Sequence, residues 1–281
     1  MDKIILQWQV HMSSHPEIFQ RDKEYYVSSD EIDVKLQNHV VANKSHFTDK
    51  TVVDIGCNNG FWLLQFYLHG AKEVIGIEPR KALVDMFNNF AEQHDLPCKM
   101  IQGFHPKVFE QKHIDCVSMM SVDEEMPDFD NFVYRLGCAY PGCSLLLQSM
   151  LIDVPVPNPY ESTGFNPANF PTFKGVVYKF ELKNHDHRDG FDPRQGVTDD
   201  IGNQHTNKDD ASYIHNIYSK DYMHYILNRE GFKVESMHKI QTPIQRPMTQ
   251  TGKGGLLWWI TALNSNMTQK EPVNLFEYKT K

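Results

Sequence analysis

Between residues 51 and 150, short apolar runs alternate with amphipathic stretches. Residues 51–55 form a β-branched run that ends in a glycine turn. Residues 61–69 have helical periodicity and are closed by Gly70. Residues 73–77 read as a second strand, 80–94 as a second helix and 98–101 as a third strand. A fourth strand follows at 114–120, then a helix at 128–140 stopped by Pro141-Gly142, then a fifth strand at 144–150. Strands that are apolar throughout are buried on both faces, as in a parallel sheet covered by helices. Strand–helix–strand alternation at this spacing predicts a doubly wound α/β domain.

The flanks read differently. Residues 1–49 are a polar lead-in with one helix, in which Ile32, Leu36, Val40 and Phe47 recur at near-helical spacing. After residue 150 the alternation stops. Residues 151–218 are rich in Pro, Asn, Asp and His, and Val154-Pro155-Val156-Pro157-Asn158-Pro159 excludes a regular helix. One strand is expected there, at 176–182. A stretch this long inside a compact domain reads as a functional loop or lid. Order resumes at Ser219, with a helix at 221–229 and strands at 232–237 and 256–263. In the last strand one of Trp258 and Trp259 is expected in the core and the other at the surface. The expected organisation is a helical lead-in (1–49), one domain (50–264) with a substrate-facing insertion (151–218), and a polar tail (265–281).

Composition narrows the function class. Acidic residues outnumber basic ones 36 to 28, a formal charge of −8, which argues against bulk binding of a phosphate backbone. Cys57, Cys98, Cys116, Cys138 and Cys143 are scattered without C-x-x-C spacing and read as small buried thiols in a reducing compartment. No stretch reaches the roughly 18 apolar residues of a membrane span, so a cytoplasmic protein without membrane contact is expected.

The chemistry is concentrated in the turn Asp54-Ile55-Gly56-Cys57-Asn58-Asn59-Gly60, which joins a strand to a helix. Glycine lets a ligand approach the backbone, and the helix start presents amide donors. A phosphate-binding P-loop needs Gly-Lys-Ser/Thr, but this chain has Gly60-Phe61-Trp62. A dinucleotide fold needs three glycines in Gly-x-Gly-x-x-Gly, whereas glycine occurs here at 56 and 60 only. Asp54 suits a cationic ligand better than a pyrophosphate. Glu78 ends the second strand, where an acid can take both ribose hydroxyls of a nucleoside.

On these residues the chain resembles the class I S-adenosylmethionine-dependent methyltransferases. Their Asp-x-Gly-x-Gly-x-Gly turn appears as Asp54 to Gly60, with Asn58 replacing the middle glycine. Asn tolerates positive φ, so the turn can survive. The resemblance implies a Rossmann-like, seven-stranded, mostly parallel sheet of order 3-2-1-4-5-7-6, its seventh strand antiparallel. It also implies S-adenosyl-L-methionine as cofactor, held at Asp54, Gly56, Asn58, Gly60 and Glu78, with Cys57, Phe61, Pro79 and Ser121 adjoining. Gln102, Gly103 and Phe104 follow strand three, where the family meets the adenine, though the common Asp is absent.

The acceptor is less legible. Loops after strand four commonly face the methyl group in this family, which makes Asp123 and Glu124 the candidate acceptor-orienting bases. Tyr25, Tyr26, Tyr160, His185 and His187 are the candidate substrate contacts; the histidines are read as solvated side chains, and no metal is expected. The leading expectation is methylation of an oxygen or nitrogen on a small molecule. One alternative is an RNA-modifying enzyme, because the strand-two motif and the lead-in also resemble enzymes that alkylate a wobble uridine in tRNA. A second is a non-catalytic S-adenosylmethionine-fold binding module.

Overall fold

A computed structural model describes residues 3–15, 29–123, 126, 128–152, 177–182, 213–239 and 256–265. Five parallel strands form its centre: β1 (Thr51–Ile55), β2 (Glu73–Glu78), β3 (Cys98–Gln102), β4 (Cys116–Met120) and β5 (Ser144–Ile152). Four more follow in chain order: β6 (Val177–Leu182), β7 (Tyr213–Ser219), β8 (Phe232–Lys239) and β9 (Leu256–Asn264). β9 lies antiparallel between β5 and β8, so the main sheet runs β3-β2-β1-β4-β5-β9-β8. This is the expected order, with β8 and β9 as the sixth and seventh strands.

The insertion departs from expectation by adding a second strand. β6 and β7 form an antiparallel hairpin, and β7 joins β5 in parallel through Leu151↔Tyr218 and Ile152↔Ser219. β9 already pairs with Leu151 on one edge, while β4 stops pairing at Met120↔Gln148. β7 therefore occupies the edge that β4 vacates, beyond the carboxyl end of β4.

Period-two alternation sorts the sheet residues into two cores. Val53, Ile75, Val117, Leu145 and Leu147 face one side, under α6 (Phe129–Ala139) and α7 (Lys220–Arg229). Val52, Val74, Cys116 and Leu146 face the other, under α4 (Phe61–Leu68) and α5 (Lys81–Gln93). The second core includes the lead-in. In α1 (Lys3–Ser13), Ile5, Trp8 and Met12 lie on one face and are buried, with the Trp8 ring 4.8 Å from Phe90. Burial of side chains this size contributes about 2–3 kcal/mol each.

The rest of the lead-in is not one regular helix. α2 (Ser29–Lys35) passes into a π turn (Leu36–Val40), a 3-10 turn (Val41–Asn43) and α3 (Lys44–Phe47). Asn43 fixes this path by donating to the carbonyls of Asn38 and His39 and accepting from Thr261 of β9 at 2.6 Å. Trp258 and Trp259 correct another expectation, because both are buried. Trp258 packs into the core under α6 and α7, and Trp259 lies on the opposite face with Thr261, which meets Asn43 of the lead-in. All five cysteines are buried, and no helix among the described residues is long and apolar enough to cross a membrane.

Candidate functional site

The carboxyl ends of β1 to β4 bring the donor-site candidates together. Gly56, Asn58 and Gly60 have φ of +70°, +52° and +81°. The turn thus needs three left-handed residues, and Asn58 supplies the middle one. It is pinned to β2 because the Gly56 and Cys57 amides both donate to the Ile77 carbonyl. Asn59 caps α4 by accepting from the Phe61 amide at 3.0 Å. A Cβ at Gly56 would come within 2.6 Å of Val122, so the turn lies tight against the loop after β4.

Glu78 is 3 % exposed and bonded on both oxygens. Oε2 accepts from the Asn58 amide at 3.0 Å, and Oε1 accepts from the Arg80 amide and from Arg80 Nε at 2.5 Å. The second-strand acid therefore braces the glycine turn from below. The Gly103 amide donates to the Glu78 carbonyl, and Gln102 Nε2 donates to the Pro79 carbonyl at 3.3 Å. Gln102 is exposed, and Gly103 and Phe104 are half-buried. Ser121, also at positive φ, donates its amide to the Gln148 carbonyl at 2.7 Å.

Asp54 is 2 % exposed and accepts from Ser118 Oγ at 2.6 Å. Burial pushes its carboxyl up to about 7, against the smaller downward pull of the Ser118 hydrogen bond. A buried carboxylate whose bonded partner among the described residues is a hydroxyl is well matched to a cationic ligand. Together with the left-handed turn and Glu78, it fits the ammonium, sulfonium and ribose of S-adenosylmethionine.

The raised Asp54 has a stability consequence. Between the unfolded carboxyl value of about 4 and the folded value of about 7, the folded state holds the extra proton. Stability from Asp54 is therefore fully present below about pH 4 and lost as pH rises through 7. Asp54→Asn removes that loss. The variant is expected to be more stable than the parent by about 1–3 kcal/mol above pH 7, with the difference gone near pH 4. Urea unfolding across that range measures it; equal stabilities at pH 8 would contradict the assignment.

Asp123 is fully buried, and Ser149 Oγ of β5 donates to its Oδ2 at 2.5 Å. Tyr218 of β7 lies close to Asp123, and its hydroxyl is pushed well up by burial and by this carboxylate. The Tyr218 ring contacts Phe129 at 5.6 Å and stacks on Tyr222 at 6.1 Å. Glu124, Tyr25, Tyr26, Tyr160, His185 and His187 lie outside the described residues.

Sequence reading missed Ser118, His39 and Arg80. Ser118 left a signal, as the polar residue in the buried run Cys116–Met120. His39 left none beyond its type, since its partner Ser118 is brought to it by the fold; Arg80 left its nearness to Glu78, two residues before it.

A methyltransferase-domain family model matches residues 32–237. The chain is 24 % identical over 143 residues to a tRNA U34 carboxymethyltransferase of Helicobacter acinonychis, covering 45 % of this chain and 50 % of that protein. It is 31 % identical over 109 residues to the protein of the same name in Methylococcus capsulatus, covering 37 % and 33 %. It thus spans half or less of the length of these curated relatives. A solved structure, the 1,6-didemethyltoxoflavin-N1-methyltransferase of Burkholderia thailandensis with S-adenosylhomocysteine bound, shares its fold. The TM-score is 0.53 at 10 % identity, covering 92 % of this chain and 90 % of that one. With the donor turn, the strand order and the family match in agreement, the chain belongs to the S-adenosylmethionine-dependent methyltransferases.

Proposed function

We propose that this enzyme methylates a nitrogen or oxygen of a small neutral or cationic molecule. One observation carries the reading: the loop leading from β4 into α6 is crowded with acids. Asp123, Glu124, Glu125, Asp128 and Asp130 fall within it or at the start of α6. Two like charges about 5 Å apart near a protein surface repel by roughly 3 kcal/mol. Such a loop disfavours an anionic acceptor, and equally a donor whose transferable group carries a further carboxylate. It favours an amine or an uncharged ring.

S-adenosylmethionine supplies a methyl carbon activated by its sulfonium. The chain's own work is to hold donor and acceptor in line. Asp54 and the 56–60 turn take the methionine end, and Glu78 takes the ribose. Asp123 and Glu124 are the candidates to orient the acceptor, and Tyr25, Tyr26, Tyr160, His185 and His187 the candidate substrate contacts. The β6–β7 hairpin beyond β4 supports a covered acceptor site suited to a small ligand.

A second reading is favoured by the tRNA U34 carboxymethyltransferases among the relatives. On that reading the acceptor is a nucleobase, and the basic residues of the lead-in, Lys35, Lys44 and Lys50 among them, meet its phosphates. Methyl-labelled S-adenosylmethionine, offered separately with a metabolite extract and with total tRNA, distinguishes the two. Label entering a small molecule is expected. Label entering tRNA alone would overturn the first reading in favour of the second.

A further inference from the structure

Among the described residues of the lead-in, one side chain reaches the Asp54 end of the donor site. His39 sits in the π turn Leu36–Val40, a form often found at functional sites because the extra residue re-aims a side chain. Asn43 holds its carbonyl at 3.1 Å. The imidazole is fully buried, and its Nε2 is 2.9 Å from Ser118 Oγ, the same oxygen that is 2.6 Å from Asp54. Three buried polar side chains from the lead-in, β4 and β1 thus form one unbranched chain. Among the described residues, His39 Nδ1 has no hydrogen-bond partner.

We propose that His39 is a positioning residue of the methyl-donor site, acting through Ser118 to keep the Asp54 carboxylate ionised and aimed at the donor's ammonium. The inference rests on Asp54 being part of that donor site.

Direction along the chain supplies the reason. With Asp54 ionised, the Ser118 hydroxyl donates to the carboxylate, and its oxygen accepts from a His39 Nε2–H. Each bond polarises the next, which strengthens the hold on the negative charge. With the proton on Asp54 Oδ1 the chain runs backwards, and the imidazole proton moves to Nδ1, where no acceptor waits among the described residues. An orphaned N–H in a buried site is rare. The imidazole itself stays neutral, because burial first and Lys35 second push it down to about 3.

The other titratable groups near Asp54 do not replace this control. Cys57 in the turn and Cys116 on β4 are thiols held neutral by burial. Glu78 also faces Cys57, but its carboxylate is bonded to Asn58 and Arg80. Lys35 is the charged group facing His39.

The test is calorimetric titration of S-adenosylmethionine into the full chain from about pH 5.5 to 9, a span that brackets the Asp54 carboxyl. For the parent, affinity weakens as pH falls through the Asp54 value. For His39→Phe and Ser118→Ala the midpoint moves up by about one unit, making binding roughly tenfold weaker near pH 7. Near pH 9 the variants match the parent within about twofold. The donor's own amine titrates identically in every titration and cancels in the comparison. His39→Gln, whose side-chain amide can donate to Ser118, restores the parent midpoint.

A loss of affinity equal at every pH, or an unmoved midpoint, overturns the proposal, since merely structural damage has no reason to follow Asp54. If His39→Phe does not fold, Ser118→Ala, which cuts the same link with a smaller change, decides it. A parent that binds no S-adenosylmethionine at any pH overturns the donor-site reading itself, and the inference with it.

Discussion

Gly60→Ala is expected to lower the unfolding free energy by about 3–4 kcal/mol, whereas Asn58→Gly, two residues earlier, changes it by less than about 1 kcal/mol. Gly60 has φ +81°, and the left-handed region costs an L-residue roughly 1–2 kcal/mol. The added methyl also has nowhere to go. It would lie 2.3 and 2.5 Å from the Phe87 ring and 2.6 Å from Met100 Cε. The methionine end can swing, but Phe87 is fully buried and packs edge-on against Trp8 at 5.4 Å. Overpacking of this kind costs about 1–3 kcal/mol. For a chain of this size the total corresponds to a fall in Tm of roughly 10 °C. Asn58 already occupies a left-handed position at φ +52°, so glycine there relieves strain while adding freedom to the unfolded chain. Thermal unfolding of the two variants side by side tests the contrast; a Gly60→Ala protein as stable as its parent would show that the turn is looser than its contacts imply.

That contrast also shows what the sequence carried. The glycine turn was legible because its requirement is local: three left-handed positions in five residues, and only glycine or asparagine takes them readily. The central strands were legible because a strand buried on both faces is mostly apolar, with polar residues such as Asp54, Glu78 and Ser118 kept for the site. β7 was missed for the opposite reason. In Tyr213–Ser219 the apolar residues come in pairs, Tyr213-Ile214 and Ile217-Tyr218, around His215-Asn216 rather than alternating, and the segment follows a long run of Asp, Asn and His that reads as loop. Its partner strand, Val177–Leu182, lies more than thirty residues upstream. No local window contains the pairing that makes it a strand. His39 is a sharper case. Within its own segment it is one of three polar residues between Leu36 and Val40, and only the meeting of lead-in, β4 and β1 gives it a partner. Both tryptophans of β9 went inside because distant parts of the chain meet its two faces, the helices α6 and α7 on one and the lead-in on the other, and no local window shows either.

Glu78→Ala is expected to weaken S-adenosylmethionine binding about a hundredfold, the largest functional loss of any single change considered. The carboxylate has two tasks, and the alanine removes both. In the structure it accepts from the Asn58 amide, so its loss frees the middle of the donor turn and strands a half-buried N–H. Leaving such a donor unsatisfied costs roughly 1–3 kcal/mol. On the proposed reading the same carboxylate also takes the ribose hydroxyls of the bound donor, and hydrogen bonds to a charged group contribute about 1.5–3 kcal/mol each. A net loss near 2.7 kcal/mol is a hundredfold in Kd. Graded variants separate the tasks. Glu78→Gln keeps the length and one acceptor oxygen, so it can still brace Asn58 while losing the charge, and about tenfold is expected. Glu78→Asp keeps the charge but is one methylene short of spanning from the turn to Arg80, whose amide and Nε both bond Oε1. Calorimetry ranks the three, with urea unfolding to confirm that each is folded at the temperature of titration. If Glu78→Ala binds within threefold of the parent, the ribose assignment is wrong and Glu78 is a brace for the turn alone.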